Sequence, residues 1–194
     1  MPRVLIVYAT TDGQTQKIAE MLADTFGREH WEATAVNARH ASPDLNLDTY
    51  DRVIVAASVH ARGYQRAAKR WVRAHAAALN RSHTAFLSVC LGVLEHDPKV
   101  DRELQDIMER FFSTTGWRPS VSKLVAGALP YTRYGWLKKL VMKRISAKTG
   151  GGTDTTRDYE YTDWDDLKAF VIRFSQVREP SPAHAHHLPD GAVV

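Results

Sequence analysis

The hexapeptide Thr10-Thr11-Asp12-Gly13-Gln14-Thr15 joins an apolar, β-rich run, Val4-Leu5-Ile6-Val7-Tyr8-Ala9, to a helical pattern. Its hydroxyl donors, a glycine that permits close backbone approach and the unpaired N–H groups of a helix start together suit a phosphate. An ordinary helix N-cap accounts for the same residues, because Thr and Asp are good caps. Both readings stand on the hexapeptide alone. It contains no Gly-Lys-Ser/Thr and no GxGxxG, which argues against a nucleoside triphosphatase loop and against a dinucleotide fingerprint.

A second chemistry lies in residues 129–150, LPYTRYGWLKKLVMKRISAKTG, which hold Arg133, Lys138, Lys139, Lys143, Arg144 and Lys148 and no acid. Trp136, Leu137, Leu140, Val141 and Ile145 share one helical side, the pattern of an interfacial membrane helix. Each basic residue near an anionic bilayer contributes on the order of 1 kcal/mol. At roughly 13 residues such a helix supports peripheral attachment, not spanning. The same residues also fit a helix packed on the domain with solvated lysines outside, and less well an RNA-binding patch, since no RNA-binding motif accompanies them.

Cys90 reads either as a small buried hydrophobe or as a redox thiol. Being the sole cysteine, it excludes an intramolecular disulfide and a cysteine-rich metal site, and it suits a reducing cytoplasm. His184, His186 and His187 lie in a Pro- and Ala-rich tail without fixed geometry, so no metal is expected there.

These residues need a scaffold, and the apolar patterning supplies one. Runs at 4–9, 33–37, 53–58, 84–90 and 121–127 read as strands, the inner ones buried on both faces. Helical stripes separate most of them: Ile18, Ala19, Leu22, Ala23 and Phe26; Trp71, Val72, His75 and Leu79; Val100, Leu104, Ile107, Met108, Phe111 and Phe112. A last helix carries Trp164, Leu167, Phe170, Val171, Phe174 and Val177, with Thr162 predicted as its cap and Asp165 three residues on. Residues 38–52 show no convincing helix. The alternation predicts an α/β doubly wound five-stranded parallel sheet, with the first loop beyond the carboxyl ends of the strands, where ligands bind. The predicted organisation is one domain over 1–177, interrupted by the basic insertion 129–150, and a disordered tail over 178–194.

Composition closes off other classes. With 44% apolar and 25% charged residues, the 194-residue chain is not largely disordered. No run reaches the roughly 18–20 apolar residues of a membrane span, and the first residues lack the pattern of a signal peptide. The net charge of +4 comes from 26 Lys+Arg against 22 Asp+Glu. The six cations of 129–150 exceed that surplus, leaving a slightly acidic body with one cationic insertion.

The first loop resembles the phosphate loop of flavodoxins, Ser/Thr-x-Thr-Gly-x-Thr, with Thr10, Thr11, Gly13 and Thr15 carrying the match and Asp12 replacing a hydroxyl residue. The chain as a whole, from about residue 3 to 177, resembles the flavodoxin-like, quinone-dependent protoporphyrinogen IX dehydrogenase family, whose loop reads Thr-x-Asp-Gly-Gln-Thr. Further matching segments are Tyr50-Asp51-Arg52-Val53, Ala57-Ser58, Trp117-Arg118-Pro119, Ala126-Gly127-Ala128-Leu129, Arg133-Tyr134-x-Trp136, Gly151-Gly152-Thr153-Asp154-Thr155 and Tyr161-Thr162-Asp163-Trp164. Residues 91–99 carry no recognised pattern, and Cys90 stands where the family often has a polar residue.

The resemblance implies a flavodoxin-like fold with flavin mononucleotide (FMN) bound by Thr10, Thr11, Asp12, Gly13, Gln14 and Thr15. It also implies two further strand ends around the ring system: Ser58, Val59, His60, Ala61, Arg62, Gly63 and Tyr64 after the third strand, and Ser88, Val89, Cys90, Leu91 and Gly92 after the fourth. Thr153, Asp154 and Thr155 are expected nearby. His60 and Arg62 are candidates for stabilising the reduced flavin, with exposed loop cations as the alternative. His60 is also the candidate base, because imidazole exchanges protons near neutrality.

The implied reaction removes six electrons from protoporphyrinogen IX in three cycles and passes them to a membrane quinone, menaquinone or ubiquinone. Arg118, Arg133 and Lys138 are candidate partners of the two propionates. Trp136, Leu137, Lys138, Lys139, Leu140, Lys143 and Arg144 are candidates for contact with an anionic membrane surface. The implied location is the cytoplasm, peripheral to the inner face of the cell membrane. No nucleic-acid partner is expected, and a homo-oligomer is compatible with everything above. Two other readings remain: a flavodoxin-type electron carrier, although such carriers are usually strongly acidic, and an FMN-dependent NAD(P)H:quinone reductase, although no dinucleotide fingerprint is present.

Overall fold

The computed structural model describes residues 1–60, 62–129 and 159–176. Five parallel strands, β1 (Arg3–Ala9), β2 (Glu32–Asn37), β3 (Arg52–Ser58), β4 (His83–Cys90) and β5 (Val121–Ala126), form one sheet in the order β2-β1-β3-β4-β5. The chain leaves β1 toward β2 on one side and returns to β3 on the other. The switch point therefore falls between β1 and β3, and the loops at their carboxyl ends sit side by side. The three inner strands are nearly continuous apolar runs because helices cover both of their faces.

Helices α1 (Gln14–Arg28) and α4 (Trp164–Gln176) cover one face, where Ile18, Leu22, Phe26, Leu167, Phe170 and Phe174 pack with Ile6, Ile54 and Leu87. Helices α2 (Arg66–Leu79) and α3 (Pro98–Thr115) cover the other, where Trp71, Val72, Phe111 and Phe112 pack with Leu5, Val55, Phe86 and the fully buried Trp117. Burying side chains of this size contributes about 1.5–3 kcal/mol each. The bounds of α3 follow from its ends. Asp97 accepts from the Lys99 N–H at 2.9 Å, Pro98 starts the first turn, and Gly116 ends the helix at φ 74°.

Three details differ from the sequence reading or lie beyond it. The cap of α4 is Asp163, whose Oδ1 accepts from the Asp166 N–H at 2.9 Å, not Thr162. Thr162 is buried and its hydroxyl donates to the Ala126 carbonyl at 2.8 Å, so it serves tertiary packing instead. A two-residue antiparallel ladder, β6 (Ala128–Leu129) with β7 (Tyr159–Glu160), brings together the two ends of 130–158. The stretch before β3 contains a single 3-10 turn (Leu47–Thr49), in keeping with the absence of a helical pattern there. Ala61, Arg133, Trp136, Leu137, Lys138, Lys139, Leu140, Lys143, Arg144, Thr153, Asp154, Thr155 and the tail from 177 lie outside the described residues.

Candidate functional site

The loop after β1 is built to leave hydrogen-bond donors unused. Gly13, the residue before α1, has φ 96°, in the left-handed region, and a Cβ there would project into open space. Its N–H donates to Thr10 Oγ1 at 2.9 Å, which folds the loop back on itself. No side chain caps α1 and no acid stands in its first turn, so the positive end of the helix dipole is left for an external anion. This disposes of the ordinary N-cap reading: neither Thr10, Thr11 nor Asp12 caps α1.

The hydroxyls point the same way. Thr10 Oγ1 and Thr11 Oγ1 both act as acceptors in their observed bonds, which keeps each O–H available to donate. Thr15 Oγ1 is buried without a partner among the described residues. Asp12 Oδ1 is buried and unpartnered too, an acceptor that awaits a donor. The loop as folded suits a phosphate monoester that also carries hydroxyl groups.

The loop after β3 forms the neighbouring wall. His60 and Gly63 exchange backbone hydrogen bonds at 2.8 and 3.1 Å, closing a tight turn in which Arg62 takes φ 63°. His60 is exposed. Arg62 is also exposed and reaches Glu103 of α3 at 3.8 Å. Tyr64 turns inward: its OH lies 2.7 Å from Ser88 Oγ and its ring packs edge-on to Phe86 and Phe111. Burial pushes the Tyr64 phenol well above its ordinary range, partly offset by the Ser88 bond, so the phenol stays neutral. Gln65 spans the switch point. Its Nε2 donates to Thr11 Oγ1 at 3.1 Å and to Ser58 Oγ at 2.5 Å, and its Oε1 is buried without a partner among the described residues.

The end of β4 forms the third wall. Ser88 is fully buried and engaged by Tyr64, Val89 is buried in the layer shared with α1 and α4, and Cys90 is buried as a free thiol. Burial raises the Cys90 pKa, opposed more weakly by the backbone N–H groups of Val93 and Gly92. Cys90 thus packs as a small buried side chain with its thiol held toward the protonated form. Val59 extends the sheet by donating to the Val89 carbonyl at 2.8 Å. Leu91 leads into a 3-10 turn (Gly92–Glu95), and Gly92 lies so close to α3 that a Cβ would meet Val100 Cγ1 at 3.1 Å.

Beside β5, the neck of 130–158 is tied to the first loop. Gln14 Nε2 donates to Thr162 Oγ1 at 2.9 Å and to Glu160 Oε1 at 3.1 Å, and Glu160 Oε2 also faces Lys17 at 3.6 Å. Tyr159 and Tyr161 stack beside it at 6.3 Å.

The structure thus gathers Thr10–Thr15, Ser58–His60 with Arg62 and Gly63, and Ser88–Gly92 at one end of the sheet. It does not bring Arg118 there. Arg118 precedes β5 at the opposite end of the sheet, its guanidinium on Glu109 at 2.6 Å and its N–H on Asn80. Sequence reasoning included Tyr64 in the strand end after β3 but missed Gln65, Glu160 and Thr162 as site-building residues. Only the placement of Gln65 directly after that strand end could have flagged the first of these.

Compared with known proteins, the chain matches the flavodoxin domain family over residues 5–156. It is 34% identical over 177 residues to the protoporphyrinogen IX dehydrogenase (quinone) of Escherichia coli strain K12, covering 91% of this chain and 97% of that protein. It is 29% identical over 196 residues to the protein of the same name from Leishmania major, covering 99% and 84%. Among solved structures, oxidised flavodoxin 1 from Bacillus cereus superposes with a TM-score of 0.56 at 14% identity, covering 91% of this chain and 99% of that one. An NADH:FMN oxidoreductase in its apo form superposes at 0.55 and 14% identity, covering 96% and 95%.

Proposed function

The chain belongs to the flavodoxin domain family, alongside the quinone-dependent protoporphyrinogen IX dehydrogenases, and on that footing we propose that it oxidises protoporphyrinogen IX to protoporphyrin IX with bound FMN and a quinone acceptor. It is an oxidoreductase with a flavin-binding fold. The observation that carries the choice of FMN is the uncapped α1 N-terminus, with Gly13 in the left-handed region and Thr15 Oγ1 buried and unpartnered. A riboflavin without its phosphate leaves those donors unanswered.

When bound, FMN supplies two-electron redox chemistry, so three rounds account for the six electrons lost by the porphyrinogen. The chain's own residues bind and orient. Thr10, Thr11, Thr15 and the first N–H groups of α1 would hold the phosphate, and the buried Asp12 Oδ1 would be free to accept from a hydroxyl of the cofactor. The turn closed by His60 and Gly63 and the segment Cys90–Gly92 would frame the ring system, with Ser88 held by Tyr64 behind them. His60, which is exposed, would be the side chain that exchanges a proton with substrate or solvent.

Arg133 and Lys138 are the proposed partners of the propionates, and residues 129–150 the proposed attachment to an anionic bilayer from the cytoplasmic side. No helix among the described residues is long and apolar enough to cross a membrane.

The test is anaerobic. FMN-loaded protein is mixed with protoporphyrinogen IX, and the flavin absorbance is followed before and after a quinone is added. Bleaching followed by quinone-driven recovery is expected. No bleaching, with rapid electron exchange toward a partner reductase instead, overturns the proposal in favour of an electron carrier.

A further inference from the structure

Helix α2 carries Arg66, Lys69, Arg70 and Arg73 and not one acidic residue. The spacing i, i+3, i+4, i+7 gathers all four on one side of the helix. That side is opposite the face of Ala68, Trp71, Val72, His75 and Leu79, which packs into the core. Arg66, Arg70 and Arg73 are exposed and Lys69 is half-buried. Arg73 donates from Nη2 to the Thr114 carbonyl at 2.9 Å, in the last turn of α3.

The other three have no carboxylate within ion-pair reach among the described residues. Helix α3, packed alongside, carries acids, but Glu103 is turned to Arg62 and Glu109 to Arg118.

The arrangement works against the helix itself. Arg66 and Lys69 stand in the first turns, where the macrodipole is positive, and no acid or side-chain cap relieves it. Arg66 with Arg70, and Lys69 with Arg73, place like charges at i, i+4, which is destabilising. A helix end built for stability alone carries acids here.

We propose that this stripe is a docking surface for an anionic lipid bilayer, separate from residues 129–150. Beyond Arg73 the outward side continues with small residues only, the exposed Ala74 and Ala77. A folded partner is gripped through aromatic anchors and fitted pockets, and single-stranded nucleic acid through stacking aromatics. The stripe offers neither. A bilayer presents anions at any lateral spacing and requires only a flat row of long cationic side chains, here about 10 Å in length. The stripe begins directly after Tyr64 and Gln65, so docking along it brings the rim of the site to the membrane surface. The choice of a bilayer over another polyanion rests on the proposed function, whose quinone acceptor is lipid-soluble.

The experiment is co-sedimentation of the full flavin-loaded chain with phosphatidylcholine vesicles, with and without about one third phosphatidylglycerol, at low and high salt. R66Q/K69Q/R70Q is expected to lower partitioning onto the anionic vesicles at least tenfold, since each cation near such a surface contributes about fivefold. FMN affinity and turnover with a water-soluble quinone are expected to be unchanged, and the thermal midpoint equal or higher because repulsion is relieved.

A second variant, with Lys138, Lys139, Lys143 and Arg144 changed to Gln, reads the other basic segment separately. If R66Q/K69Q/R70Q sediments like the parent, or if binding depends on the second set alone, the docking surface is refuted while the enzymatic assignment stands. If the triple substitution abolishes retention of single-stranded RNA while the parent ignores vesicles, the surface is a nucleic-acid site and the proposal fails. Absence of turnover by the parent with a soluble quinone counts against the enzymatic assignment and leaves the vesicle result to be judged on its own.

Discussion

The amide of Gln65 donates to Thr11 Oγ1 across 54 positions of sequence, and the same nitrogen holds Ser58. One side chain thereby ties the candidate phosphate loop to the end of β3, proposed to frame the flavin ring. Each bond contributes about 0.5–1.5 kcal/mol net. Gln65→Ala is expected to weaken FMN binding roughly five- to tenfold in a fluorescence-quenching titration. Riboflavin, lacking the phosphate, should lose less. An equal loss for both ligands would show that Gln65 acts on the ring wall alone.

Gly13 has φ 96° and open space where a Cβ would stand, so a side chain there meets strain and not a clash. Gly13→Ala is expected to cost about 1–2 kcal/mol in denaturant unfolding of the apoprotein. Gly13→Asn should cost less, because Asn tolerates the left-handed region. Equal stability of the Ala variant and the parent would contradict the assigned backbone.

Tyr64 and Cys90 both have pKa values raised by burial, from ordinary values of 10.0 and 9.0. Folding therefore favours their protonated forms. The stability this confers is complete below the unfolded pKa values and declines as pH rises, first past 9.0 on account of Cys90 and then past 10.0 on account of Tyr64. Cys90→Ala should flatten the first part of that decline in unfolding titrations. Tyr64→Phe should flatten the second and cost about 1–3 kcal/mol at neutral pH by leaving the Ser88 hydroxyl unpaired. Adding Ser88→Ala should recover part of that loss.

Thr162 and Asp163 are adjacent in sequence and serve different ends. Asp163→Ala removes a helix cap and is expected to lower stability by about 1 kcal/mol without altering FMN affinity. Thr162→Val removes the hydroxyl between Gln14 and Ala126, so it should weaken FMN binding as well as stability. If thermal melts and FMN titrations cannot tell the two variants apart, Thr162 has no role in placing the loop.

What the sequence determined by itself was the part set locally or by two-sided burial. Val53-Ile54-Val55-Ala56-Ala57 could only be an inner strand, and the spacing of Ile18, Leu22 and Phe26 fixed the buried face of α1. Thr10–Thr15 offered a phosphate loop or a helix N-cap, because glycine, hydroxyls and a helix start are contiguous, and did not choose between them. The stripe on α2 was legible too, at helical spacing. Subtracting residues 129–150 from a net charge of +4 hid it, because the sum averages a helix without acids against the acids of other elements.

Only the tertiary structure decided which of these residues share a site. Gln14 with Glu160 lies 146 positions apart, and Tyr64 with Ser88 lies 24. The opposite end of the sheet claimed Arg118. Helix caps shifted by one residue, from Thr162 to Asp163, because a hydroxyl that a buried carbonyl could use was drawn into the core. Periodicity records which face of an element is buried. It carries no information on which elements meet, or on which polar atoms are left unpaired where they do.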